Sequence, residues 1–454
     1  MKLALSALLL GLSLACPAQE VPSNFRGAQA EGTSIGELKW FEIFQDPQLQ
    51  TLIRTALERN PDLLMALARV EAARGQLGIT GAAQYPAVGL GIDLNQTRVS
   101  TTSPTFVGGF LPRERTFGEV LLNFLNFELD IWGRVRHQTE AAAQQYLASD
   151  EDRKTVTTLV VSEVATAYFN LLDLDAELDI AQRTLATREE YRAILQARMD
   201  GGIATLLDVR QGEQLVIGAR LAVTDTQRLR EQVENNLNLL LGNTPGPVTR
   251  GQSLLEQYHL PAVPAGLPSE LLTRRPDIRS AEMNMVAQGE LLEATRAAYF
   301  PRLSLTGFLG YQSKALSNLF TAPSQTFGLV PLLSTPILAA GRGSDIDQAE
   351  ANRRLAQVAY QKTVLTAFTE VSNALNDYAK FHDTRSQREL LVATLQDRSK
   401  LAILRYKGGI DTMLNALDAE RDLFEAQLLL TQARRNELLS LVQLYKALGG
   451  GWQP

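Results

Sequence analysis

The chain has 454 residues but only one cysteine, Cys16, and three histidines, His137, His259 and His382. A single cysteine excludes an internal disulfide and any cysteine cage for a metal. The histidines stand far apart and lack metal-ligand spacing. No nucleophile elbow, P-loop, zinc helix or dinucleotide fingerprint occurs, and Gly89-Leu90-Gly91 lacks the required spacing. The net charge is −6, so no basic surface for nucleic acid is expected. The 32 glycines and 18 prolines are too few for a low-complexity chain. These absences argue against an enzyme, a resident metal, a cofactor or a nucleic-acid partner. A helical membrane span is also missing after the N-terminus. The longest uncharged stretch, 315–341, carries Pro323, Pro331 and Pro336, which exclude a continuous helix.

What is present begins with the N-terminus. Met1 and Lys2 give a positive start, Leu3 to Ala15 is an uncharged and mostly apolar run, and Ser13 and Ala15 are small. Residues 1–15 therefore read as a secretory signal, at about 13 apolar residues too short to span a bilayer. Cleavage before Cys16 would free the only thiol for a covalent lipid, and that is the expectation. A bacterial lipobox usually has leucine three residues before the cysteine; here Ser13 stands there, between Leu12 and Leu14. An ordinary export signal cut after Ala15 or Ala18 is the alternative. Either way the mature chain leaves the cytoplasm.

Four segments alternate with the period of a strand. Val88, Leu90, Ile92 and Leu94 alternate with Gly89, Gly91, Asp93 and Asn95. Leu125, Phe127 and Leu129 alternate with Asn126, Glu128 and Asp130; Leu303, Leu305 and Leu309 with Ser304 and Thr306. A fourth, less regular strand lies around 327–337. The connections 99–115 and 314–324 are rich in Ser, Thr, Pro and Gly and read as loops. Two amphipathic hairpins on a soluble core would give this pattern. So would membrane strands, for which ~9–11 alternating residues suffice. Four strands cannot close a barrel, and an open sheet edge in lipid leaves backbone groups unpaired. Membrane strands therefore require an oligomer.

The chain also repeats itself. Segment 57–94 matches 272–309 without gaps, through Leu57/Leu272, Arg59/Arg274, Pro61/Pro276, Asp62/Asp277 and Pro86/Pro301. Further on, Arg198/Arg405, Gly201/Gly408, Gly202/Gly409, Ile203/Ile410, Thr205/Thr412 and Gly242/Gly449 pair in the same order. The organisation expected is an N-terminal segment 16–55, a first repeat 56–242, a Pro-rich linker 243–270, a second repeat 271–449 and a tail 450–454. Each repeat reads helix, strand, strand, long helix, long helix. The stretches 138–198 and 345–406 contain neither proline nor glycine and favour helix. Sixty residues make a rod of roughly 90 Å. Strands lie at one end of each rod and a Gly-Gly turn at the other.

With these parts in this order, the chain resembles the outer membrane factor family, the TolC-like exit ducts, and most of all the lipoprotein branch that serves multidrug efflux. The resemblance rests on Trp40-Phe41 with Phe44, Asp46, Pro47 and Leu49; on Phe127-Glu128-Leu129-Asp130-Ile131-Trp132-Gly133-Arg134; and on Val263-Pro264-Ala265-Gly266-Leu267-Pro268. It rests too on Arg274-Arg275-Pro276-Asp277, Tyr299-Phe300-Pro301 and Leu444-Tyr445-Lys446-Ala447-Leu448-Gly449-Gly450-Gly451-Trp452. It implies an α+β membrane protein: a homotrimer with a 12-stranded transmembrane β-barrel, four strands per chain, continued by a long periplasmic α-helical barrel and a mixed equatorial domain. It implies a passive outer membrane duct of a Gram-negative tripartite efflux system. The partners implied are a periplasmic membrane fusion (adaptor) protein, an inner-membrane transporter of the RND class, and outer membrane lipid. A duct for type I protein or peptide secretion is the alternative within the family. A soluble coiled-coil scaffold is the rival outside it, but it leaves the strands idle.

The resemblance also assigns residues. The adaptor-contacting tips would be Arg198, Gly201, Gly202, Ile203 and Thr205 with Arg405, Gly408, Gly409, Ile410 and Thr412; the same residues could simply shape the turn. The periplasmic gate would be Leu414, Asp418 and Arg421, which share one helical face by their spacing. The first repeat has Leu207, Gln211 and Gln214 in the matching places, so the charged pair occurs once per chain. An ordinary exposed helix pair between Asp418 and Arg421 is the plainer reading.

Overall fold

The computed structural model describes residues 34–98, 100, 114–257, 268–335 and 341–453. The signal segment, Cys16 and linker residues 258–267 lie outside the described residues. After a 3-10 turn at Ile35–Glu37 come α1 (Trp40–Ile43), α2 (Pro47–Arg59), α3 (Pro61–Ala82), β1 (Ala87–Arg98), β2 (Glu114–Leu129), α4 (Arg134–Asp200) and α5 (Leu206–Leu240). The second half repeats the plan with α6 (Pro268–Arg274), α7 (Pro276–Ala297), β3 (Arg302–Ser313), β4 (Gln325–Ser334), α8 (Arg342–Lys407) and α9 (Met413–Ala447).

The rods are as long as their composition demands. Helix α4 has 67 residues and α8 has 66, so each spans about 100 Å at 1.5 Å per residue. The returning helices α5 and α9 have only 35 residues each and stop halfway. Helices α3 and α7, of 22 residues each, complete the second column up to the strands.

The duplicated motifs make the joints between these columns. Asn60 caps α3, accepting from the backbone N–H of Asp62 at 2.9 Å and of Leu63 at 3.1 Å. Its Nδ2 donates at 2.8 Å to the Leu240 carbonyl at the end of α5. One side chain thus satisfies orphan groups of two stacked helix ends. In the second repeat Arg275 takes this place, donating to the Ala447 carbonyl at 3.1 Å and pairing with Asp277 at 2.6 Å and Glu370 at 2.7 Å. Gly242 and Gly449, with φ of 68° and 79°, let the chain leave each column. A Cβ on Gly242 would lie 2.6 Å from the Arg59 carbonyl oxygen.

The four strands form one antiparallel meander in the order β1-β2-β3-β4. Its register sets Leu90 against Leu122, Leu122 against Leu309, and Leu309 against Phe327. Because side chains alternate between faces, these residues share one apolar face with Val88, Ile92, Val120, Leu305 and Leu329. The other face carries Gly89, Asp93, Glu119, Asn123, Thr306 and Gln312, among others. The sheet differs from the alternation read at 125–129 in one respect. A register shift lies between Phe124 and Phe127, where Asn126 takes φ of 26°, so the parity of β2 changes there. Among the described residues, the outer edges of β1 and β4 have no strand partner.

The largest buried cluster lies at mid-height, where the N-terminal segment meets the middles of α4 and α8 and the ends of α5 and α9. Trp40, Phe44, Leu49, Ile53, Tyr168, Leu237, Val371 and Tyr445 are among its members. One stretch of α4 is apolar enough to cross a membrane, but its Val160, Val161, Val164 and Ala165 are buried in this cluster instead.

Asp46 pins the N-terminal segment to this core. It caps α2 through the N–H groups of Gln48 and Leu49. It also accepts from Tyr168 Oη at 2.7 Å, and from Gln257 Nε2 and the Gln252 N–H at 3.0 Å each. Burial opposes its charge, but these hydrogen bonds override burial and hold its carboxyl below the ordinary range.

Candidate functional site

The end of the molecule far from the strands is built by two hairpin turns of one design. At the first, Gly202 N donates to Met199 O at 2.9 Å and Ile203 N to Arg198 O at 2.8 Å. At the second, Gly409 N donates to Tyr406 O at 3.0 Å and Ile410 N to Arg405 O at 2.9 Å. This is the Schellman pattern, and it needs a left-handed residue in one place. Gly202 and Gly409 fill that place, with φ of 75° and 70°. Gly201 and Gly408 do not: their φ values are −83° and −78°, open to any residue. A Cβ on Gly201 would meet nothing closer than 3.5 Å, and one on Gly408 nothing closer than 3.4 Å. Ile203 and Ile410 are 76% and 71% exposed, so neither apolar side chain is used within the chain.

The helices that leave the turns are capped differently. Thr205 forms a capping box with Asp208, donating Oγ1–H to its carboxylate at 2.7 Å and accepting from its N–H at 3.3 Å. Its repeat partner Thr412 makes no such side-chain cap. There Asp411 does the work, accepting from the Thr412 N–H at 2.8 Å and from Asn415 Nδ2 at 2.6 Å, and pairing with Arg405 at 3.2 Å. These donors hold the Asp411 carboxyl below its ordinary range. The two tips touch: the Arg198 guanidinium lies 4.7 Å over the Tyr406 ring. Behind them Leu195, Val209, Met413, Ala416 and Leu417 form a small buried cluster that joins the hairpins.

One turn above the second tip, Leu414, Asp418 and Arg421 lie on one face of α9. Leu414 is 49% exposed. Arg421 pairs with Asp418 at 3.3 Å and with Asp422 at 3.2 Å. Both carboxylates are on its own helix. Within the chain, one tie from α9 to α8 runs one residue further on, from Asp422 to Arg398 at 2.7 Å. The Arg398 hydrogen bond, with help from Arg421, holds Asp422 below the ordinary carboxylate range. Asp411, Asp422 and Arg398 are thus the working polar residues that sequence reasoning missed. Arg398 and Asp422 meet across two helices, which no local sequence pattern marks.

Higher up, α9 is tied to α4. Arg435 reaches Asp173, which is fully buried, at 2.8 Å. Burial outweighs the arginine and raises the Asp173 carboxyl to about 7. At the strand end, Arg134 grips Glu128 with two bonds of 3.0 and 2.6 Å, and Asp130 caps α4 through the N–H groups of Val135 and Arg136. Among the described residues, no group of three or more His, Cys, Asp or Glu could hold a metal ion.

Known proteins share this whole plan. A family model described as outer membrane efflux protein matches residues 52–243 and again 267–450, one span for each repeat. The probable efflux pump outer membrane protein TtgC of Pseudomonas putida is 36% identical over 466 residues, covering 100% of this chain and 95% of TtgC. Outer membrane protein OprJ of Pseudomonas aeruginosa is 35% identical over 469 residues, covering 98% of this chain and 95% of OprJ. The solved open state of the MtrE outer membrane channel of Neisseria gonorrhoeae matches with a TM-score of 0.85 at 32% identity, over 96% of each chain. With both repeats matched and the fold shared end to end, the chain belongs to the outer membrane efflux protein family, whose members are channels of the Gram-negative outer membrane.

Proposed function

We propose that three copies of this chain form a passive exit duct that receives small molecules, including drugs, from a periplasmic adaptor and an inner-membrane pump of the RND class. The observation that carries the proposal is the unclosed sheet. Among the described residues its four strands leave the outer edges of β1 and β4 without a strand partner and expose an apolar face. In lipid such edges must be paired. A ring of copies, β1 of one against β4 of the next, pairs them all and leaves no edge. The naming of TtgC and other relatives as efflux pump outer membrane proteins favours efflux over protein secretion. Native mass spectrometry of detergent-purified protein should read three chains, and planar bilayers should show channels. A monomer without conductance would sink the proposal.

In this duct Leu414 and Asp418 form the periplasmic constriction, and Arg421 holds Asp418 at its rim. Three Asp418 carboxylates converging on one axis would repel, and Arg421 at 3.3 Å offsets that charge. Asp418→Ala and Arg421→Ala trimers should differ from the parent in conductance and cation selectivity. Unchanged values in both variants would overturn the assignment. The tips around Arg198, Gly201, Ile203, Arg405, Gly408 and Ile410 dock the adaptor. The exposed isoleucines and the glycines that the turn itself does not require support that reading. Cys16 carries a lipid after signal cleavage; an unmodified mature N-terminus at Glu20 by mass spectrometry would refute this.

A further inference from the structure

Residues 315–320, in the connection from β3 to β4, do not project from the sheet but fold back against it. We propose that this segment is a lipid-contacting flap, seated at the boundary between headgroups and acyl chains of the outer leaflet. Helix α7 enters β3 and β4 leads toward α8, so this connection lies at the end of the sheet away from the rods. Its seat is on the apolar face. Gly118 sits opposite Leu94 in the register, and a side-chain carbon added to Gly118 would fall 3.0 Å from Leu316 Cδ2 and 3.1 Å from Leu94 Cδ2. The absent side chain of Gly118 is what gives Leu316 room.

Further along, the Phe320 ring meets the Tyr311 ring edge-on at 5.6 Å, and Tyr311 shares the apolar face through its register with Val120. Leu319 is buried, while Leu316 and Phe320 remain 62% and 71% exposed on the outer side. Apolar side chains left this exposed are costly in water and cost little where the surrounding medium is itself partly apolar.

The flap is also built for poor hydration. Residues 315–324 carry no charge, and Lys314 at their start can reach outward to headgroups. Several of its polar groups are satisfied locally. Asn318 N donates to Ala315 O at 3.1 Å, Leu319 N to Leu316 O at 3.2 Å, and Thr321 N to Asn318 O at 3.2 Å. The Asn318 carbonyl also accepts from the Thr321 and Ser324 hydroxyls, both at 2.7 Å. Irregular backbone near lipid is tolerated only with such closure. The flap leans from β3 over β2, away from the bare edge of β4, so a neighbouring copy at that edge is not its occupant. The lipid-facing belt of the sheet continues directly into it.

The test uses nitroxide labels on the full chain, reconstituted in vesicles of phosphatidylethanolamine and phosphatidylglycerol. Labels go on Phe320→Cys and Leu316→Cys; the chain without an added cysteine supplies the Cys16 background. Power saturation should show oxygen colliding with both labels several-fold more often than a soluble nickel chelate does. Equal or greater access of the chelate would overturn the proposal. So would exclusion of both reagents, which would mean a protein cover. The inference rests on the sheet lying in the membrane, and a label on Leu329→Cys separates the two. If Leu329 is lipid-exposed while Phe320 is aqueous, only the flap fails; if both are aqueous, the membrane sheet fails. Adding Gly118→Val to the Phe320 label should unseat the flap and raise chelate access several-fold, and an unchanged ratio would refute the seat.

Discussion

Gly201 and Gly202 are adjacent and identical, yet they answer different demands. Gly202 adopts φ of 75°, where an L side chain is strained by about 1–2 kcal/mol. Gly201 adopts φ of −83°, where alanine fits. Gly202→Ala and Gly409→Ala should therefore lower the melting temperature of the purified protein. Gly201→Ala and Gly408→Ala should leave melting unchanged but reduce dye efflux in cells if the tips receive a partner backbone. Asp46 is the opposite kind of residue, valuable for what it accepts. Asp46→Ala strands Tyr168, Gln257 and a helix N-terminus, and should cost on the order of 3 kcal/mol, read as a loss of thermal stability. Its carboxyl is held low in the folded state. Its contribution is therefore complete above about pH 4 and is lost as the pH falls through its folded value.

Among the elements, α9 is tied to α4 by Arg435–Asp173 and to α8 by Asp422–Arg398. The buried tie carries a pH signature. Burial raises the Asp173 carboxyl from the ordinary carboxylate range to about 7. A raised acid contributes stability that is full below its unfolded pKa and is lost as pH rises through its folded pKa. Melting temperature should thus fall between pH 4 and about 7, and Asp173→Asn should flatten that slope. An unchanged slope would assign the dependence elsewhere. The exposed Asp422–Arg398 pair is worth less to stability. Its removal by Arg398→Ala should show in channel gating before it shows in melting.

The whole molecule is organised by solvent. Among the described residues the equatorial cluster is the one substantial core, the rods carry thin seams, and the sheet sets Leu90, Leu122, Leu309 and Phe327 together on one exposed face. Leu305 and Thr306 are neighbours on β3 but face opposite ways. Leu305→Arg places a charge in lipid and should cost about 2–4 kcal/mol near the midplane, seen as reduced assembly in the outer membrane. Thr306→Arg, facing the lumen, should assemble normally and shift ion selectivity instead.

The rods, the strands and the turns can be read from sequence, because each depends on local chemistry. Helices read over 138–198 and 345–406 run over 134–200 and 342–407. The Gly-Gly pairs were legible because left-handed backbone selects glycine, and the strands because alternation records two different solvents. The duplication announced two halves, but not that Asn60 and Arg275 fasten one helix end to another far along the chain. The parity change at Asn126, the role of Asp411 in place of Thr412 and the Asp422–Arg398 tie emerge only in three dimensions. Each of these depends on which charges and carbonyls are brought together in space. A pattern with the period of a helix or a strand cannot encode that, because it records only which side of its own element a residue occupies.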